Sequence, residues 1–160
     1  MSQADERRAA RLAAVQALYQ MEMSGQDADE VSGQFVAHRF AELSEAGTAA
    51  PDQDFFTAIL DGVPPHQVEI DRAIAGALSQ KWKLERVDAI LRAVLRCGVF
   101  ELVARRDVPA RVVIDEYVAV AGAFFGADEP GFVNAALDTI ARRKRAAEFG
   151  LAVPEGEIGF

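Results

Sequence analysis

The stretch VDAILRAVLRCGVFEL, residues 87–102, decides how the chain folds. Val87, Ile90, Leu91, Val94, Leu95, Gly98 and Leu102 recur at intervals of three and four, which places them on one face of a helix. That face is unbroken, so the helix is expected to run through the middle of the core. Gly98 within it forfeits about 1 kcal/mol of helix propensity relative to alanine. A second helix that must approach closely gives the glycine a reason. Cys97, between Arg96 and Gly98, reads as a small buried hydrophobe rather than a reactive thiol.

The same periodicity continues on both sides, with almost no sustained alternation that would indicate strands. Upstream, Leu12, Val15 and Leu18 mark a first amphipathic helix over about 6–23, ended by Ser24-Gly25. Val31, Phe35, Val36, Phe40 and Leu43 mark a second. Asp52 or Asp54 can cap a third, carrying Phe55, Phe56, Ile59, Leu60 and Val63 and stopped by Pro64-Pro65. Val68, Ile70, Ile74 and Leu78 make a fourth. Downstream, Pro109 and Pro130 each stand where a helix begins, in the position that best tolerates proline. Val112-Val113-Ile114 would suit a strand, but no partner strand exists, so a helix is expected through Tyr117 to Phe125. A seventh carries Phe132, Val133, Ala136, Leu137 and Ile140 and runs out in Arg142-Arg143-Lys144-Arg145. The expectation is an all-α single domain over 1–145, with about seven helices, followed by a loose tail over 146–160.

Composition agrees. The chain has 160 residues, 51% hydrophobic and 26% charged, with 30 alanines against 12 glycines and 6 prolines. That is the balance of a globular helical protein with a real core, and it excludes collagen-like, disordered and disulfide-stapled classes. The longest uncharged run, about 117–127, is well short of the roughly 18 apolar residues a membrane span needs. One unpaired cysteine and no apolar segment behind Asp5-Glu6-Arg7-Arg8 lead to the expectation of a cytoplasmic protein with no membrane association.

Catalytic chemistry is missing. His38 and His66 have no metal-ligand spacing and no cysteine neighbour to serve as a nucleophile. Gly122 and Gly126 flank two phenylalanines at a helix end, not a phosphate-binding strand-turn-helix. No enzyme, metal or cofactor is expected.

Charge is segregated. The net charge is −8, and residues 22–69 hold ten acids and one base, Arg39. Positive charge gathers at Arg7, Arg8 and Arg11, over 86–111, and over 142–145. The first group is three or four residues apart on one helix and can present one cationic surface. It lies at a helix N-terminus, where cations oppose the dipole, so helix stability does not account for it. Arg86, Arg92 and Arg96 leave two readings open: a second cationic face, or charges neutralised by Glu85 and Asp88. A third candidate is the turn over 124–132, bracketed by Phe124, Phe125 and Phe132. Adjacent phenylalanines diverge by about 100° on a helix, so one of Phe124 and Phe125 is free to stack on an unpaired base.

Taken in order, these segments resemble the bacterial transcription antitermination protein NusB family. The likeness is carried by Arg7-Arg8-x-x-Arg11 with Ala14-Val15-Gln16-Ala17-Leu18-Tyr19, and by Arg92-Ala93-Val94-Leu95-Arg96 with Phe100-Glu101-Leu102. It continues in Asp107-Val108-Pro109 with Ile114-Asp115-Glu116, and in Phe125-Gly126 with Phe132-Val133-Asn134-Ala135-Ala136-Leu137-Asp138. It implies two packed helical subdomains and a non-enzymatic role. In that role the protein pairs with the small-subunit ribosomal protein NusE, binds single-stranded boxA RNA, and through RNA polymerase sustains elongation across ribosomal RNA operons. By position it implies RNA contacts at Arg7, Arg8, Arg11, Phe125, Asp128, Glu129 and Phe132, and partner contacts at Tyr19 and Glu85. A homodimer is compatible with the family. Two departures stand out: only three arginines beside Asp5-Glu6 at the start, and Pro130-Gly131 in the second loop. Two rival readings are a helical protein–protein adaptor without RNA binding, and a stand-alone relative of the RNA-binding domain of ribosomal RNA cytosine methyltransferases.

Overall fold

Four helices begin where the sequence supplies a side-chain oxygen for their free amides. In the computed structural model, which describes residues 2–78, 83–126, 128–154 and 159–160, α1 (Gln3–Ser24) opens on a capping box between Ser2 and Asp5. Asp27 caps α2 (Ala28–Gln34) and Asp52 caps α4 (Gln53–Gly62). α5 is Gln67–Ala77, α7 is Ala110–Phe124 and α8 is Glu129–Lys144. α6 is Ala89–Ala104, with the Asp88 carboxylate accepting from the Ile90 amide.

The second expected helix is interrupted. A π turn over Phe35–Arg39 joins α2 to α3 (Phe40–Glu45). In a regular α-helix residues five apart point about 140° away from each other, and one wider turn brings them round. Phe35 and Phe40 thereby reach the same ring, Phe56, at centroid distances of 5.7 and 5.0 Å. Counting α2 and α3 as one rod gives seven helices among the described residues. The elements pack as two groups, α1 with α2 and α4, and α5 with α6, α7 and α8, joined mainly by α1 against α6; α1 also touches α7, and α4 touches α6. The helix read as central is therefore the central one, and Leu95 and Leu102 are fully buried on it. Val68 departs from its expected place and is 68% exposed. The described part of the tail is packed in places: Ala146 is buried within a short turn over Ala146–Phe149, and the Phe160 ring stacks on His66 at 4.3 Å. No helix among the described residues is long and apolar enough to cross a membrane.

Two glycines set how closely the helices approach. A Cβ on Gly98 would lie 2.8 and 2.9 Å from the two Cδ atoms of Leu137 on α8. On Gly62 it would lie 2.0 Å from Cε1 of the buried Phe100 ring. Gly62→Ala is expected to destabilise by about 2 kcal/mol, in the range for overpacking a tight core. Urea denaturation checks this; an unchanged midpoint would show that Phe100 can turn aside freely.

Candidate nucleic-acid interface

α1 delivers three arginines to three different environments. The Arg8 side chain is 62% exposed and forms a two-pronged pair with Glu116 on α7, Nε at 3.0 Å and Nη2 at 3.2 Å. Bonding to that carboxylate, above all, pushes the guanidinium further toward its charged form. Arg7 is half-buried; its guanidinium lies 4.8 Å from the Phe55 ring centre and 3.9 Å from Asp107. Arg105 holds the same carboxylate through two bonds of 3.1 Å, which keeps Asp107 below the usual aspartate range.

Arg11 corrects the expectation of a single cationic surface. It is 3% exposed, and its fork meets Glu101 at 2.8 and 2.9 Å. The side of α1 that carries it packs against the core with Ala10, Ala14 and Leu18. Arg11 therefore cannot reach a phosphate without abandoning a buried counter-charge. Three guanidinium groups, from Arg7, Arg11 and Arg105, lie within 4.9 Å of the Phe55 ring centre. Neither Phe55 nor Arg105 was a candidate from sequence, because nothing local to Phe55 distinguishes it from the other apolar positions of its helix.

The third candidate, the aromatic turn, does come together. Phe125, Asp128, Glu129 and Phe132 line one groove of about 400 Å³ with Arg86 and Leu91. Phe124 and Phe125 are both half-buried, and it is Phe125 that faces this groove. A further groove of about 460 Å³ runs from Asp5, Arg8 and Leu12 to Ala119 and Ala123 of α7. It ends one residue short of Phe124. At 1.5 Å per residue, Glu116 and Phe125 are about 14 Å apart along α7, which carries the first and ends at the second.

Tyr19 and Glu85 lie at the other end of α1. Tyr19 is 37% exposed beside a groove of about 670 Å³ that also takes in Met23, Phe35 and His38. Glu85 is exposed on the turn Leu84–Arg86. The two are linked through Glu22, one turn beyond Tyr19, which pairs with Arg92; Arg92 also donates to the Val87 carbonyl. Arg92 and Arg96 are thus neutralised, but by Glu22 of α1 and Asp71 of α5, the latter at 2.8 Å. Asp88 is occupied as a helix cap instead. Cys97 is fully buried, and that burial pushes its thiol far up.

Fold and surface together define a small two-group helical protein with an arginine edge and an aromatic turn laid along one helix. Residues 8–142 match the model of the NusB family. The transcription antitermination protein NusB of Maricaulis maris is 54% identical over 144 residues, covering 89% of this chain and 90% of that one. NusB of T. maritima superposes with a TM-score of 0.72 at 28% identity, over 91% of this chain and 97% of the other. A NusB chain crystallised with NusE and double-stranded RNA gives 0.68 at 25% identity, over 86% and 96%. The chain belongs to the NusB family.

Proposed function

We propose that this protein is a cytoplasmic transcription antitermination factor that acts by binding and not by catalysis. It pairs with the ribosomal protein NusE, holds boxA RNA, and keeps RNA polymerase elongating through ribosomal RNA operons. The observation that carries the reading is that α7 bears the Arg8–Glu116 pair and the groove at Ala119 and Ala123 and ends at the turn whose Phe125 and Phe132 line a second groove. Arg7 and Arg8 supply phosphate contacts, and Arg11 positions the start of α1 through Glu101. Phe125 and Phe132 offer apolar surfaces to unstacked bases, while Asp128 and Glu129 can accept from exocyclic amino groups. Tyr19 and Glu85 face the ribosomal protein. The acidic block over 22–69 adds long-range attraction for a basic partner, which reversing its charges would reveal as a slower, less salt-sensitive association.

A protein of net charge −8 with two accessible arginines at its RNA edge should bind RNA weakly alone and more tightly with the basic partner. Titrating boxA RNA against protein alone, with NusE, and with Arg7→Ala/Arg8→Ala tests this. The double variant should lower the slope of log K against log salt by about 0.7 for each single-strand phosphate it no longer neutralises. An unaltered slope would remove both arginines from the interface. Double-stranded boxA serves as the second arm, and equal affinity for both forms would exclude base stacking by Phe125 and Phe132. The adaptor reading predicts no retention of RNA even with NusE present.

A further inference from the structure

Resting on the RNA reading above, we propose that the RNA surface continues past Arg7 in the direction opposite to the aromatic groove. It crosses the turn between α6 and α7, where Arg106 and Arg111 take backbone phosphates of nucleotides flanking the recognised element. Both residues are exposed. Among the described residues neither forms an ion pair, whereas Arg7, Arg8, Arg11 and Arg105 are each tied to a carboxylate. Their direct contacts are neutral, while Arg106 also lies near enough to the Glu148 carboxylate to help lower it. Arg106 donates through Nη2 to the Lys144 carbonyl at 3.0 Å, and the Arg111 guanidinium lies 5.5 Å from the Phe149 ring centre. Arg142 approaches the same ring at 4.9 Å. A carbonyl and a phenyl ring fix a guanidinium without cancelling its charge, so both cations are held in place with donors left for a polyanion.

Apart from its packing on Phe149, helix stability gives Arg111 no reason to be there. It occupies the first turn of α7, where a cation opposes the helix dipole. The position is also continuous with the proposed site. A groove of about 220 Å³ lined by Arg7, Asp107, Pro109, Val112 and Glu116 borders the turn that carries Arg106 and Arg111. From Arg111 to Phe124 α7 spans about 20 Å. The α7 helix thus carries cations at its start, the Arg8 pair at its middle and the aromatic groove at its end.

The test measures salt dependence of binding to the intact protein–NusE complex, using boxA RNA alone and boxA RNA extended by several uridines at either end. With the wild-type protein, one extended RNA should steepen the slope by about 0.7 for each further phosphate neutralised. Arg106→Gln/Arg111→Gln should abolish that increment while keeping its binding to the short RNA. Arg106→Lys/Arg111→Lys should restore the increment, which separates loss of charge from loss of packing on Phe149. An extension that leaves the wild-type slope unchanged at both ends, or a glutamine variant that retains the increment, would overturn the proposal. Failure of the wild-type complex to retain even the short RNA would overturn the RNA reading itself.

Discussion

Glu101→Ala is expected to destabilise the protein by about 4 kcal/mol, because it strands a buried charge. Glu101 is fully buried on α6, and its carboxylate accepts two bonds from Arg11 and one from the Tyr117 hydroxyl. Removing one partner of a buried ion pair costs roughly 3–5 kcal/mol, because the other charge is left in a low-dielectric interior without compensation. Here the stranded groups are a guanidinium 3% exposed and a fully buried phenol. Burial is the largest of the causes that hold the phenol far above its usual range, and it still opposes ionisation once the carboxylate is gone. Glu101→Gln should cost less, since one oxygen remains to accept, although its amide NH2 then faces donors. Replacing all three groups by apolar residues of similar volume should recover most of the loss, because the desolvation cost of the pair disappears with it. Urea denaturation of the three variants checks the order. A Glu101→Ala loss below about 1 kcal/mol would mean that Arg11 swings out to solvent, and the arginine edge would then need to be redrawn.

That triad also marks the limit of what the chain discloses before it folds. The central helix was legible because its apolar residues repeat without a break over 87–102, and burial follows from such a stripe whatever it packs against. Gly98 could be read as a point of close approach for the same reason, and Leu137 is what approaches it. Whether a charged side chain is presented or consumed depends on residues far away in sequence. Arg8 and Arg11 are three apart on one helix, yet one meets Glu116 at the surface and the other Glu101 in the core. Arg92 and Arg96 have acids nearby in sequence, but their partners came from α1 and α5. The aromatic turn was easier, since Phe125, Asp128, Glu129 and Phe132 are local to one another and a short turn between helices keeps them together. The π turn at Phe35–Arg39 leaves no sequence signal, because it answers to Phe56, a residue on another helix.

Arg145→Ala is expected to cost about 3 kcal/mol, although the residue closes a run of four basic residues that reads as a solvated helix end. Its side chain is 1% exposed and turned back onto the end of α6. The guanidinium donates to the carbonyls of Leu102 at 2.6 Å, Val108 at 2.9 Å and Arg105 at 3.0 Å, and to Glu148 at 2.7 Å. The last carbonyls of a helix have no partner within it, and this arginine caps them from a different helix. Alanine would leave several buried acceptors unsatisfied at roughly 1–3 kcal/mol each, relieved in part by entering water. Arg145→Lys should fall in between, since a single ammonium cannot span carbonyls on both sides of the α6–α7 turn. Arg143→Ala, at an exposed position beside it, should change stability by less than about 0.5 kcal/mol. The acid limb gives a second readout. Burial raises the Glu148 carboxyl, but bonds from the Ala110 amide and Arg145 outweigh it and hold it below its ordinary value. Its contribution is therefore present above the unfolded carboxyl range and lost as pH falls through the folded value. Without Arg145 that depression shrinks, so the variant should lose less stability between neutral pH and about pH 3 than the wild type does. Because the same clamp fixes the turn carrying Arg105 and Asp107, its amides should also exchange faster in Arg145→Ala. Unchanged exchange over Arg105–Ala110, together with wild-type stability, would show that water replaces the arginine at no cost.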